Sequence, residues 1–335
     1  MSGFHLPAVR CAVIGYGGAF NMGRSHAQQM NEAGMETVAA CDLDPARMEA
    51  AANDFPGIRT YTSIDALLTD PDVDLCVVIL PHNQHAPIAI KCAEAGKHVI
   101  VEKPMCITVA EADAMLEAAR ANGVMLSVFH NRRWDGDFLA IRKLIKQDTI
   151  GDVFHIEACM AGFHEPGAWW RSDKSVSGGA LYDWGAHIVD WIQLLVPEEI
   201  SGVDGYFHKR RWHSRSVEDH TEAIIRFASG KTAQVEISSL AAVGKARWRI
   251  LGTKGAIVQQ GWEDIDVTVE HGKHLAKFTV KPETSRSEAF YENIAGHLMR
   301  GEELSVKPEE ARRTIAVIQA AEASSNQRAT QPIEV

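Results

Sequence analysis

Residues Val13–His26 read VIGYGGAFNMGRSH, and their glycines are spaced for contact with a phosphate. Gly15 and Gly17 fit a tight turn whose backbone comes close to a ligand. The next helix-opening glycine, Gly23, falls three residues later than in the usual G-x-G-x-x-G. Ala19–Met22 therefore read as an insertion that bulges ahead of a helix, with Gly18, Asn21 and Arg24 near the turn as further donors. Asp42, at the end of METVAACD, is a carboxylate that can accept hydrogen bonds from sugar hydroxyls. Asp183 and His187 stand four apart in GGALYDWGAHIVDW, a spacing that shares one face of a helix. An imidazole takes and returns a proton near neutrality, and a carboxylate beside it binds hydroxyls or orients the ring. Lys103, in AGKHVIVEKP, supplies a cation that can polarise an alcohol or carbonyl oxygen. These groups suit removal of a hydroxyl proton while hydride leaves the same carbon.

Strands and helices must bring such residues together. VRCAVIG, VDLCVVILP and KHVIVEKP are near-continuous apolar runs, as strands buried on both faces are. Helical patterns lie between them: one from Arg24 to about Ala33, one opened by Pro45, one running through Ala93, and one capped by Thr108 and Glu111. VMLSVFH closes the series. Strand–helix repetition of this kind predicts a doubly wound parallel sheet, a Rossmann domain over residues 1–130. Beyond residue 130 the period changes. WDGDFLAIRKLIKQ and ALYDWGAHIVDWIQLL read as helices. KTAQVEISS alternates Ala233, Val235 and Ile237 with polar residues, and RWRILGTKGAIVQQ holds two strands and a turn. Residues 131–335 are predicted to form an α+β substrate-binding and oligomerisation domain with an open, mostly antiparallel sheet. Ser285–Glu288 and Pro308 open its last two helices, and the final helix is a candidate to pack back on the first domain.

The bulk numbers set limits. A chain of 335 residues suits two domains, and its net charge of −10 argues against nucleic acid as a partner. None of the six cysteines forms a C-x-x-C pair, and several sit in apolar runs, so a reduced, cytoplasmic setting is expected. The start lacks signal-peptide architecture and no apolar run is long enough to span a bilayer, so no membrane partner is expected. The 15 histidines include no zinc spacing, and no metal is expected.

A turn after a strand, a helix after the turn and an acid ending the second strand together satisfy a dinucleotide reading. Asp42 favours NAD over NADP because its charge repels a 2′-phosphate, and Arg47 is the residue that could reverse this. With PHNQH (Pro81–His85), AGKHVIVEKP and GGALYDWGAHIVDW, the chain resembles the glucose–fructose oxidoreductase / inositol dehydrogenase / rhizopine-catabolism (Gfo/Idh/MocA) family. The resemblance spans both domains. It implies catalytic roles for Lys103, Asp183 and His187, a place for Asn83 near the nicotinamide ribose, and association as a homodimer or homotetramer through the C-terminal sheet. Glu102 is a candidate to buttress the cofactor pocket. Arg133 is read either as reaching the active site or as a salt bridge. Trp169, Trp170 and Arg171, with Asp183, are candidate substrate contacts; the two tryptophans stack on a sugar or simply pack their loop. The expected activity is hydride transfer between NAD and a secondary alcohol of a sugar, sugar derivative or cyclic polyol. Two rivals remain: a redox-neutral, NAD-dependent glycosidase and a non-enzymatic sensor of NAD or sugar.

Overall fold

The computed structural model describes residues 6–18, 20–329 and 333 and divides the chain into two compact units. Among the described residues, those up to 131 together with 288–312 make the first; 132–287 and those from 313 on make the second.

In the first unit the elements run β1 (Arg10–Ile14), α1 (Met22–Glu32), β2 (Glu36–Cys41), α2 (Pro45–Asp54), β3 (Arg59–Tyr61), α3 (Ile64–Leu68), β4 (Leu75–Val78), α4 (His85–Glu94), β5 (His98–Val101), α5 (Val109–Ala121) and β6 (Leu126–Val128). Its six strands form one sheet in the order β3-β2-β1-β4-β5-β6, and every pair is parallel. This is the doubly wound sheet expected from the apolar runs. β4 and β5 are buried at every residue, which is why their sequences show no alternation. The Thr108–Glu111 capping box forms in both directions, and the Asp44 side chain accepts from the Ala46 N–H ahead of α2. β3 and α3 were not expected. They are short, and their exposed strand carries little apolar signal.

The second unit holds α6 (Gly136–Lys146), β7 (Val153–Ala161), α7 (Lys174–Ser177), α8 (Trp184–Leu195), β8 (Ile200–His208), β9 (His220–Phe227), β10 (Thr232–Ser238), β11 (Trp248–Gly252), β12 (Gly255–Gln259), β13 (Ile265–His271) and β14 (His274–Val280). Its eight-stranded sheet has the order β14-β13-β12-β11-β7-β10-β9-β8 and is antiparallel except at β7–β10. The mostly antiparallel sheet agrees with expectation. α8 packs on β7 and β10, and its Trp191 stacks on Phe138 of α6 at 5.5 Å. In β10 the predicted alternation holds for Ala233 and Val235 but not for Ile237, which is half-buried. Glu236 is the buried residue instead, paired with Lys245 at 2.6 Å. Two helices follow, α9 (Ala289–Arg300) and α10 (Pro308–Gln327). Ser285 does not cap α9: its hydroxyl accepts from the Gly136 N–H, and no side chain caps that helix. α9 clusters with the first unit, where Phe290 meets Phe129 edge-on at 4.9 Å.

Candidate functional site

The glycine turn leaves β1 at Gly15. A β-carbon at Gly15 would run into the Ile79 carbonyl oxygen, and the backbone there is left-handed at φ +97°. A β-carbon at Gly23 would lie 2.8 Å from the Gly15 carbonyl oxygen, so α1 approaches the turn only because Gly23 has none. Between them Gly17 and Gly18 also have positive φ, and Gly18 faces open space. Ala19 lies outside the described residues, so the expected insertion is visible only from Phe20 on. α1 starts at Met22, two residues before the predicted start. Its N-cap, Asn21, is itself left-handed at φ +50° and makes no side-chain cap. No acid occupies the first turn. The first-turn N–H groups of α1, beside the positive-φ glycines Gly15, Gly17 and Gly18, suit a pyrophosphate. The residues present therefore fit a dinucleotide.

Asp42 follows β2, and its carboxylate is already engaged. Oδ2 accepts from the Tyr16 N–H at 2.8 Å and from Arg47 Nη1 at 3.2 Å; Oδ1 accepts from the Asp44 N–H at 3.0 Å. Arg47 also pairs with Asp44 at 3.6 Å. Arg47, the residue whose charge could reverse the NAD preference, has its guanidinium beside Asp42.

Lys103 comes two residues after β5, at the carboxyl edge of the same parallel sheet that carries the glycine turn. Its N–H donates to Glu102 Oε2 at 3.0 Å, and the Lys103–Pro104 bond is cis. Glu102 Oε1 faces His26 Nε2 at 3.0 Å, and His26 Nδ1 faces the Tyr291 hydroxyl at 2.6 Å. Burial alone would push the Glu102 carboxyl up, but the His26 hydrogen bond and nearby Lys103 and His85 hold it below its ordinary range. Asn83 sits in a single turn of 3-10 helix, His82–Gln84, before α4. His85 does more than start α4: Nδ1 lies 2.7 Å from the Pro104 carbonyl and Nε2 2.8 Å from that of Leu80.

In the second unit Asp183 is not inside a helix. It is the N-cap of α8, with φ −80° and ψ −91°, because a 3-10 turn over Ala180–Tyr182 precedes it. Asp183 therefore stands at the entry to the helix rather than within it, four residues ahead of His187. Asp183 is half-buried, with Arg171 Nε 3.9 Å from its Oδ1. His187 is in the first turn of α8, 4 % exposed, its ring between Trp184 at 5.7 Å and Trp191 at 6.2 Å. The Arg171 guanidinium lies 4.7 Å from the ring centres of both Trp169 and Trp170. The aromatic faces proposed for sugar stacking thus carry an arginine of their own. Beside Trp169 an open cleft of about 510 Å³ is lined by Ser172, Asp173, His213, Arg215 and Ser216. Arg133 is a salt bridge: Nε and Nη2 donate to Asp190 of α8 at 2.8 and 2.6 Å.

Four residues that shape these half-sites had no role in the sequence reading. His26 and Tyr291 lie 265 residues apart, and no local pattern joins them. Glu218 accepts from the Ala180 N–H at 2.9 Å and pairs with Lys174, bracing the turn ahead of Asp183. The Gly178–Gly179 doublet was the available sign of a tight turn there; both have positive φ.

Residues 9–130 match the model of an oxidoreductase family with an NAD-binding Rossmann fold, and residues 138–258 match a GFO/IDH/MocA C-terminal domain. The scyllo-inositol 2-dehydrogenase (NADP(+)) IolW of Bacillus subtilis (strain 168) is 28 % identical over 316 residues, 86 % of this chain and 87 % of that protein. The trans-1,2-dihydrobenzene-1,2-diol dehydrogenase of Mus musculus is 31 % identical over 240 residues, 69 % of this chain and 68 % of that protein. An NAD-binding protein from Listeria innocua, a solved structure, superposes with a TM-score of 0.88 at 28 % identity, covering 97 % of both chains.

Proposed function

The chain belongs to the Gfo/Idh/MocA family of NAD(P)-binding oxidoreductases that act on alcohol groups, and from that premise we propose that its substrate is a secondary alcohol of a sugar, sugar derivative or cyclic polyol. The observation that carries the reading is the placement of Lys103 and the glycine turn at the same carboxyl edge of one parallel sheet. The names of the Bacillus and mouse relatives both specify an alcohol on a six-membered carbon ring, which supports a ring polyol.

The backbone donors at Gly17, Gly18 and the start of α1 bind the pyrophosphate, Asp42 binds the adenosine ribose, and Asn83 and Glu102 border the nicotinamide side. When bound, the nicotinamide supplies the hydride acceptor. Lys103 Nζ holds the substrate oxygen and stabilises it as its proton departs. The His187 imidazole takes that proton and returns it in the reverse direction. Asp183 binds a neighbouring hydroxyl, with Arg171 beside it and Trp169 and Trp170 flanking the arginine. NAD is the preferred cofactor because the Asp42 carboxylate directly follows β2 and repels a 2′-phosphate. The ion pair with Arg47 narrows the margin, since that guanidinium is placed to meet a 2′-phosphate.

Self-association through the C-terminal sheet follows from the same reading, and strand residues Phe154, Tyr206, Leu275 and Phe278 remain exposed for it. Six buried free thiols suit a reducing, cytoplasmic compartment. The test is turnover with a panel of inositols and sugars. His187→Ala should cut kcat by about 10²–10⁴-fold with NAD affinity nearly unchanged, and Lys103→Ala should also lower it. Near-normal turnover in either variant would overturn that residue's role.

A further inference from the structure

Lys103 has a backbone N–H that donates to one oxygen of Glu102, and the other oxygen faces His26. An ionised carboxylate only accepts, so His26 Nε2 must carry the hydrogen. With the ring neutral, Nδ1 is then the acceptor for the Tyr291 hydroxyl at 2.6 Å. The result is one directed chain: Tyr291 O–H to His26, His26 N–H to Glu102, and Lys103 N–H to Glu102. His26 is wholly buried, Tyr291 likewise, and the Glu102 side chain is 16 % exposed. Phe129 packs against the His26 ring at 4.3 Å. On the far side of Lys103, the Pro104 carbonyl is fixed by His85 at 2.7 Å. A buried carboxylate that loses its donor protonates or swings out: protonation weakens the bond from the Lys103 N–H, and swinging out breaks it.

We propose that His26 and Tyr291 are positioning residues for Lys103: they hold Glu102 as an oriented carboxylate, and Glu102 fixes the backbone that aims the lysine. This rests on the catalytic reading of Lys103 given above. It explains why a helix arriving from the far end of the chain places a tyrosine hydroxyl inside the first unit. The groups facing Glu102 are His26, Lys103 and His85; Tyr291 bonds the other nitrogen of His26, and the Glu102 charge also reaches its hydroxyl.

The experiment has two readouts. The first is the Glu102 carboxyl titration in cofactor-free protein, followed by NMR of glutamate labelled with carbon-13 at Cδ and assigned with Glu102→Gln. His26→Phe keeps a ring of similar size but no donor, and should raise the Glu102 titration midpoint by about one unit or more. The second is kinetics. His26→Phe should lower kcat about 10–100-fold with KM for NAD within about two-fold, and His26→Gln, which restores an N–H, should recover part of the loss. Tyr291→Phe removes a single hydroxyl, should fold normally, and should lower kcat about 3–10-fold with a smaller titration shift. An unchanged Glu102 titration together with unchanged kcat in Tyr291→Phe and His26→Phe would overturn the proposal. Should His26→Phe fail to fold, Tyr291→Phe alone decides it by the same two readouts. If Lys103→Met kept full turnover while the titration still shifted, the catalytic role of the lysine would fall and the hydrogen-bonded chain would stand.

Discussion

Replacing Arg133 by methionine should unfold the second unit far more easily while barely changing its volume. Arg133 grips Asp190 with two nitrogens, at 2.8 and 2.6 Å, and the two side chains are 6 and 3 % exposed. Methionine fills much of the same space, so the loss isolates the charge. Removing one partner of a buried pair leaves the other ion uncompensated, at a cost of about 3–5 kcal/mol. Substituting both, as Arg133→Met with Asp190→Leu, removes the stranded charge and should recover most of that stability. All eight tryptophans fall between residues 134 and 262, so intrinsic fluorescence in guanidinium chloride follows the second unit alone. With a slope of about 4 kcal/mol per molar denaturant, the single variant's midpoint should fall by roughly 1 M. Asp190 is one turn along α8 from His187, so turnover should fall as well. A cost below about 1 kcal/mol for Arg133→Met, or a double variant as unstable as the two singles summed, would refute the reasoning.

Acid should weaken the first unit through His98. Burial holds this imidazole down to about 4 from its ordinary 6.5, and its Nδ1 accepts from the Met125 N–H. The unfolded chain binds a proton first, so stability present above pH 6.5 is lost as pH falls to about 4, by about 3 kcal/mol. His98→Asn keeps an acceptor and should flatten that loss in hydrogen-exchange measurements; an unchanged slope would rule His98 out. Gly17→Val forces a β-branched residue to φ +109° and should weaken NAD binding at least about 10-fold by calorimetry. Equal affinity would move the cofactor elsewhere. Asp42→Ala should narrow the ratio of NADP to NAD dissociation constants, and Arg47→Ala should widen it. A ratio indifferent to both variants would remove that pair from cofactor choice.

The legible parts of this chain were those written in neighbouring residues. Runs such as LCVV and VIV announce strands buried on both faces because every position is apolar, and the Thr108–Glu111 box spans only four residues. Asp183 misled because the apolar pattern of α8 continues back through Ala180–Tyr182, where the chain has tightened to a 3-10 turn and then kinked. Ser285 looked like a cap because residue type and position suit one, yet the Gly136 N–H claimed its hydroxyl. Arg47 was visible five residues after Asp42, but the direction of a long side chain is not written in its spacing. The His26–Tyr291 and Arg133–Asp190 contacts join distant segments, and distance along the chain erases any periodic sign of them.

The first unit is discontinuous, and this sets a timetable for the ribosome. Its opening 131 residues emerge with β1 to β6 complete, but the helix bearing Phe290 and Tyr291 belongs to the same unit and is made only after residues 132–287. At about 5–20 residues per second, the polypeptide from Arg132 to Tyr291 takes roughly 10–30 s to appear. Throughout that interval Phe129 and His26 lack the aromatic partners that later cover them, and this apolar surface is open to chaperones. A nascent chain stalled anywhere in the intervening stretch carries a first unit that cannot close, however well its sheet has formed.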